Sequence, residues 1–294
     1  MTIVASGTIT MGNLNTEMGY SATATISLND AAMRTLSGTG SGTAVSLSTF
    51  YGKSNRKSIS VTIATNSTNY TLTASSLGGY IVGKSDITLT INSGITVSAT
   101  TTGVYALTWT GFTAGDTLTF KNNGSVFGHG GAGGNGSYAN SGTPGGAGGG
   151  AINSGYAATI TSSAGYIAGG GGGGGGGSGT PNSGGANYLG NGGGGGAGLG
   201  AGGAGGGVSG GGTASYGGTP GGAGGPFNIG SGGGAGGSAG PGGQYPGGGW
   251  GSAGGGSASA NSGAGGGGGK AINLNGTVVA WVGGLPGTIY GGVS

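Results

Sequence analysis

Four side-chain carboxylates and one histidine are all the Asp, Glu and His of this 294-residue chain. Glu17, Asp30, Asp86 and Asp116 are spread too widely for their spacing to suggest a carboxylate pair for general acid–base work. His129 sits between glycines, with no sequence neighbour to orient its ring toward one of the many serines. Gly265 to Lys270 comes near a phosphate-cradling loop. Ala264 replaces its first glycine, however, and Ala271 follows the lysine where Ser or Thr is required. The chain has no cysteine, hence no disulfide and no thiolate metal site. The expectation is a protein that is not an enzyme and holds no metal and no cofactor. Contact chemistry remains. Tyr138, Tyr188, Tyr216 and Tyr245 each lie in a connection between glycine runs, with Pro144, Pro181, Pro220 or Pro246 inside it or just behind it. Tyrosine gives a large, stiff contact area with a polar tip, and the Ser, Gly and Asn around it supply adaptable hydrogen bonds, as in antibody binding loops. The alternative role for these tyrosines is to cap the open end of whatever the glycine runs build.

Charge narrows the partners. Only 4% of residues are charged, the net charge is +3, and no Lys, Arg, Asp or Glu lies between Lys121 and Lys270. So few and dispersed cations do not make a nucleic-acid surface. Met1 to Ser6 lacks the basic and apolar regions of a secretory leader, and no stretch approaches the ~18 apolar residues of a membrane span.

The elements that must position the tyrosines are the glycine runs. Glycine supplies 91 of the 294 residues and about half of those from Gly128 to Gly269. Such a composition reads as a flexible tract unless something orders it. Collagen fails, because Gly169 to Gly177 is unbroken glycine and the chain has only 7 prolines. A polyglycine II bundle fits better. In it, extended threefold helices pack side by side, and each N–H and C=O finds its partner on a neighbour, since such a helix has no internal hydrogen bonds. Only a residue without Cβ allows that approach, while alanine is tolerated on outward faces. Ordering a residue costs about 1–2 kcal/mol, and one hydrogen bond returns about 0.5–1.5 kcal/mol, so only a stack bonded on several sides persists. The expected runs are 128–136, 144–150, 169–177, 190–198, 201–207, 219–225, 231–243, 247–256 and 263–269. If they alternate in direction, 137–143, 178–189, 208–218 and 244–246 connect them at the far end, and Phe227 and Ile229 fall at the base. Thr143 to Gly149 recurs without change as Thr219 to Gly225. Trp250, inside a run, is expected on an outer face.

Residues 58 to 127 alternate apolar and polar at period two: Ile59–Ile63, Ile87–Ile91, Ile95–Val97, Leu107–Trp109 and Leu118–Phe120. A β module follows, either sandwich-like or solenoid, with Trp109 and Trp281 in its core. The phrases Gly124–Gly128, Gly165–Gly169 and Gly287–Gly291 each hold a bulky pair or triplet between glycines, and 276–280 is a looser copy. They suggest a shared layer of short strands at the base of the bundle. Upstream, Ile9–Leu14, Ile26–Ala31 and Val45–Phe50 repeat one pattern, and Asn29-Asp30 is placed to cap a helix over Ala31 to Leu36. Elements this small bury little alone, so this segment reads as one that docks on something larger. The fold class is all-β, divided as 1–57, 58–127 and 128–294.

Two resemblances attach to these residues. Ala24 to Ser54, ending in Ser48-Thr49-Phe50-Tyr51-Gly52-Lys53-Ser54, resembles the N-terminal segment of many tailed-bacteriophage tail and fibre proteins. Residues 128–294 are similar in architecture to the tail-fibre tip adhesins of T-even-like phages, in which distal loops of a polyglycine II sandwich select the bacterial receptor. The resemblance implies a virion protein whose residues 1–57 join other tail or baseplate proteins. It implies far-end loops bearing Tyr138, Tyr188, Tyr216 and Tyr245 that meet an outer-membrane protein or a glycan. A homotrimer is expected from fibres in general. The rivals are a virion spacer without receptor contact and a non-viral, ice-binding glycine-rich bundle, which would need a flat, repeating Thr or Ala face.

Overall fold

The computed structural model describes residues 3–137, 142–162, 164–178, 193, 195–198, 220–225, 233–234, 246–256, 263–282 and 288–294. None of its helices is long and apolar enough to cross a membrane.

Residues 3–54 carry the helices. α1 (Met11–Met18) contains Gly12, Asn13, Asn15 and Thr16, all poor helix formers, so its ends must hold it. Thr10 forms a capping box: Asn13 N donates to its Oγ1 (3.2 Å), and its own N–H donates to Asn13 Oδ1 (2.8 Å). Gly19 closes the other end at φ 84°. Asp30 occupies the N-cap position of α2 (Ala31–Ser37), as expected, but its carboxylate accepts from Ser27 N (3.1 Å) instead of from the helix. A 3-10 turn spans Leu47–Phe50. The sequence repeat acquires a physical meaning here. Ile9 with Leu14, and Val45 with Phe50, flank a cap residue as hydrophobic staples, and all four belong to one cluster with Ile3, Met33 and Leu36. The segment therefore has a small core of its own.

A three-sided solenoid follows. β1 (Lys57–Ile63), β4 (Ser85–Ile91), β7 (Thr117–Asn122), β10 (Ala158–Thr161) and β13 (Val279–Trp281) stack as one parallel sheet. β2 (Ser67–Thr68), β5 (Thr96–Ser98), β8 (Ser125–Phe127), β11 (Tyr166–Ala168) and β14 (Ile289–Tyr290) stack as a second. β3 (Tyr70–Thr73), β6 (Leu107–Thr110), β9 (Ile152–Ser154) and β12 (Ile272–Asn273) form the third, extended by a bridge from Ile272 to Val293. Each rung visits the three sheets in turn, so every ladder is parallel, which selects a solenoid over a sandwich. Like side chains stack in register: Val61, Leu89, Phe120, Ile160 and Trp281 form one internal file. Leu89, Trp109, Phe120 and Ile160 are fully buried, at roughly 1.5–3 kcal/mol each. Trp281, on the last rung, is only half-buried. The strands expected at the bundle's base, 166–168 and 289–290, are rungs of this same stack.

One corner of the solenoid carries the rest of the chain. The step from second to third sheet is residue 69 in the first rung and 99–106 in the second. It is 128–151 in the third, 169–271 in the fourth and 291–292 in the fifth. Asn69 makes the tight version at φ 49°, which asparagine tolerates. The described glycine runs are thus two outgrowths of a single corner. The second sheet's ladder continues into them without a break, through Gly128 N to Ala168 O (2.8 Å) and Gly169 N to Tyr290 O (2.9 Å). Ala151 N to Lys270 O (3.0 Å) marks the return into the third sheet.

Within the outgrowths the backbone bonds sideways with a period of three. Gly170, Gly173 and Gly176 donate to the carbonyls of Gly149, Gly146 and Thr143. Gly172 and Gly175 donate to Ser252 and Gly255, and Gly171 to Ala197. The carbonyls of Gly171, Gly174 and Gly177 accept from Gly131, Gly134 and Ser137, and those of Gly170, Gly173 and Gly176 from Gly269, Gly266 and Gly263. The run 169–177 is buried throughout and is the hub of the described runs. Ala132, Ala147, Ala223, Ala253 and Ala264 are exposed, as outward faces require.

Candidate functional site

Each acid the sequence singles out has a structural task. Glu17 accepts from Asn55 N (2.7 Å) and Ser54 Oγ (3.2 Å), and Lys84 Nζ donates to its carbonyl, which ties residues 3–54 to the first rung. Asp86 receives the Arg56 guanidinium through Nε (2.9 Å) and Nη2 (2.6 Å) and the Thr117 hydroxyl (2.6 Å). The hydrogen-bonded guanidinium holds Asp86 below the usual carboxylate range, and Asp86 in turn raises Arg56. Burial works to raise Asp116, but donors outweigh it and lower its pKa: Tyr80 OH (2.6 Å), Thr113 N (2.9 Å) and Ser85 N (3.0 Å). Burial and the bond to Asp116 push Tyr80 up. His129 opens the first glycine run, its carbonyl accepting from Gly149 N (2.7 Å). Among the described residues no three His, Cys, Asp or Glu side chains gather where a metal ion could sit.

The aromatic groups build the bundle's base. Phe127, on the outer face of the second sheet, stacks on Trp250 at 4.7 Å between ring centroids and 25° between planes. Ala168 and Ala197 complete a small buried cluster, with Tyr166 and Tyr290 packed against it. Trp250 is 7% exposed, so the expectation of an outer face is wrong. The reason is a reversal that the unbroken glycine pattern hides. Residues 247–256 are two antiparallel runs, joined at Trp250 and Gly251, the latter at φ 64°. Gly248 and Gly251 donate to Gly172 and Gly169, Gly255 N donates back to Pro246 O (2.8 Å), and 252–256 then runs outward beside 172–175. The indole therefore covers the join between solenoid and bundle.

Away from the base, several described runs lie side by side. Thr143 N donates to Asn135 O (2.9 Å), Ser137 N to Gly177 O (3.0 Å) and Gly263 N to Gly176 O (2.9 Å). Asn135 N also donates to Thr143 Oγ1 (2.7 Å), and Ser137 bridges Ser178. Pro246 lies beside Gly255 in the same direction from the base. The four candidate tyrosines, Tyr138, Tyr188, Tyr216 and Tyr245, lie outside the described residues, as do Phe227 and Ile229. What is described is their flanks: Ser137 and Gly142, Ser178 and Gly193, Pro220, and Pro246.

Comparison with known proteins gives this arrangement a family. A family model described as phage tail fibre adhesin Gp38 matches residues 58–294. A solved structure, the gp37-gp38 adhesin tip complex of the bacteriophage S16 long tail fiber, is similar at 22% identity and a TM-score of 0.53. The match covers 99% of this chain and 100% of that one, a likeness of fold. Comparison with curated proteins gives no match. On the family match, which takes in the solenoid and both glycine outgrowths, this chain belongs to the phage tail fibre adhesin Gp38 family.

Proposed function

We propose that the chain is the receptor-binding tip of a phage tail fibre, with recognition carried by the connections at the far end of a polyglycine II bundle. The observation that carries this reading is that the runs leaving the solenoid at 128 and 169 extend away from it side by side, with 135–137, 143, 176–177 and 263 still hydrogen-bonded to one another at the distance from the base that the candidate connections flank. The stretches holding Tyr138 and Tyr188 begin there, and those holding Tyr216 and Tyr245 lead into Pro220 and Pro246. The threefold period of the sideways hydrogen bonds supports polyglycine II geometry. In this reading the partner is an outer-membrane protein or a glycan on the bacterial surface.

Residues 3–54 serve as the attachment module in the same reading. They expose Val4 (49%), Leu47 (37%) and Tyr51 (38%), apolar surface that is available to a partner. Gly52 N donates to Val4 O (3.1 Å), which sets Val4 beside Tyr51. The partner here is a fibre protein, as the S16 tip is a complex of gp38 with gp37.

Adsorption measurements test the recognition half. Replacing Tyr188 or Tyr216 by Ala is expected to lower phage adsorption about tenfold or more, as loss of an aromatic hot spot does, with the melting temperature unchanged. If adsorption survives removal of all four tyrosines, the far-end connections are caps and the reading fails.

A further inference from the structure

The solenoid has a cleft on its flank that neither attachment nor the far-end connections use. Corners from third to first sheet span 74–84, 111–116, 155–157 and 274–278. The short corner at 155–157 falls between longer neighbours and leaves a recess, bounded by Asp116 on one side and Val278 on the other. Its floor is the outer face of the first sheet, where Thr119, Thr159 and Ala280 stand in register on successive rungs. Hydroxyl residues fill this file elsewhere, as Ser60 and Thr88. Ala280 removes that bulk at the last rung and opens the cleft.

The chemistry of the walls is specific. Tyr156 is tethered by its hydroxyl, 2.7 Å from Thr113 O and 3.0 Å from Asp116 O, and its ring is braced by Phe112 at 5.8 Å. Its one hydroxyl proton is thus committed to these two carbonyls, and the ring stands as a fixed apolar wall. Val278, 70% exposed, and Ala280 continue that apolar surface. Beside them on the floor, the hydroxyls of Thr119 and Thr159 make no hydrogen bond among the described residues, and parallel strands hold them about 4.8 Å apart. No charge is free. The only ionisable acid in the lining, Asp116, is 7% exposed and its carboxylate already accepts from Tyr80, Thr113 and Ser85.

We propose that this cleft is a subsite for a neutral sugar ring. A pyranose offers an apolar C–H face to Tyr156 and Val278 and a row of hydroxyls to Thr119 and Thr159. A charged ligand would surrender its hydration here without gaining a counter-charge. The site goes beyond the far-end reading and stands without it: a tip holding both would take a surface glycan along its flank.

The test uses the full chain and a panel of neutral methyl glycosides (glucoside, galactoside, mannoside and N-acetylglucosaminide), followed by saturation-transfer NMR. At least one is expected to receive saturation, and Ala280→Trp, a change at an exposed position, should weaken that binding about tenfold or more without moving the melting temperature. Thr159→Val keeps the side-chain shape and removes one hydroxyl. It should weaken binding several-fold even if the tryptophan variant proves unstable. Absence of saturation transfer across the panel overturns the proposal, as does binding unchanged in Thr159→Val. The readout needs no phage and no host, so its failure leaves the far-end reading untouched.

Discussion

Gly173→Val is expected to abolish the glycine bundle, with a loss of more than about 5 kcal/mol, beyond the range of ordinary point changes. A Cβ on residue 173 would lie 1.8 Å from Ala132 O and 2.4 Å from its carbonyl carbon, and both are backbone atoms with no rotamer to change. The neighbouring run cannot retreat alone, because its period-three partners on the other side of the hub are fixed by the same ladder. The control is a glycine of the same kind of run. A Cβ on Gly267 meets nothing within 4 Å, so Gly267→Ala should be neutral or stabilise by about 0.4–1 kcal/mol through the unfolded chain. Thermal melts followed by circular dichroism separate the two. Equal melting of both variants would mean the packing between runs is not what restricts these positions to glycine.

Trp250→Ala should destabilise by about 3–5 kcal/mol, the usual cost of emptying a buried aromatic site. The loss falls on the join between solenoid and bundle, where Phe127 would lose its stacking partner and Ala197 its cover. The expected signature is a bundle that melts earlier than the solenoid, instead of one shared transition. Trp281→Ala is the comparison. That side chain ends an internal file, is half-buried, and faces rung to rung instead of toward the bundle, so its loss should be smaller and confined to the last rung. An unchanged melt for Trp250→Ala would remove the indole from any role in the join.

Period-two alternation made the strands legible, because a solenoid strand buries alternate residues on one side, as Ile87, Leu89 and Ile91 do. The same alternation serves a sandwich. Only the parallel register of 57–63 with 85–91 and 117–122 separates the two architectures, and register is a long-range property. The helix at 31–37 was readable from Asp30. α1 was not, since its residues favour turns, and a capping box with a staple overrides them. Among the glycine runs, Ala132, Ala147, Ala223, Ala253 and Ala264 marked outward faces, whereas Ala197 is buried under Trp250 at the base. The reversal at Trp250 and Gly251 left no periodic trace, because a glycine run has no hydrophobic period for a turn to interrupt. Its one signal was Trp250 itself, a large apolar ring whose burial is favoured over exposure. As for the far end, the sequence supplied the tyrosines, which lie outside the described residues, and the structure describes the runs that flank them.

Amide hydrogen exchange on the intact chain tests the central claim, that the glycine-rich outgrowths are ordered by lateral backbone bonds. The N–H groups of Gly170, Gly173 and Gly176 each donate to a neighbouring run at 2.8–2.9 Å inside a fully buried segment. They are predicted to exchange as slowly as Leu89 and Phe120 in the solenoid core, and the protected amides in 143–149 to follow the same period of three. Exchange across 128–137, 142–150 and 169–177 at the rate of an unstructured glycine peptide, with the solenoid still protected, would contradict the account.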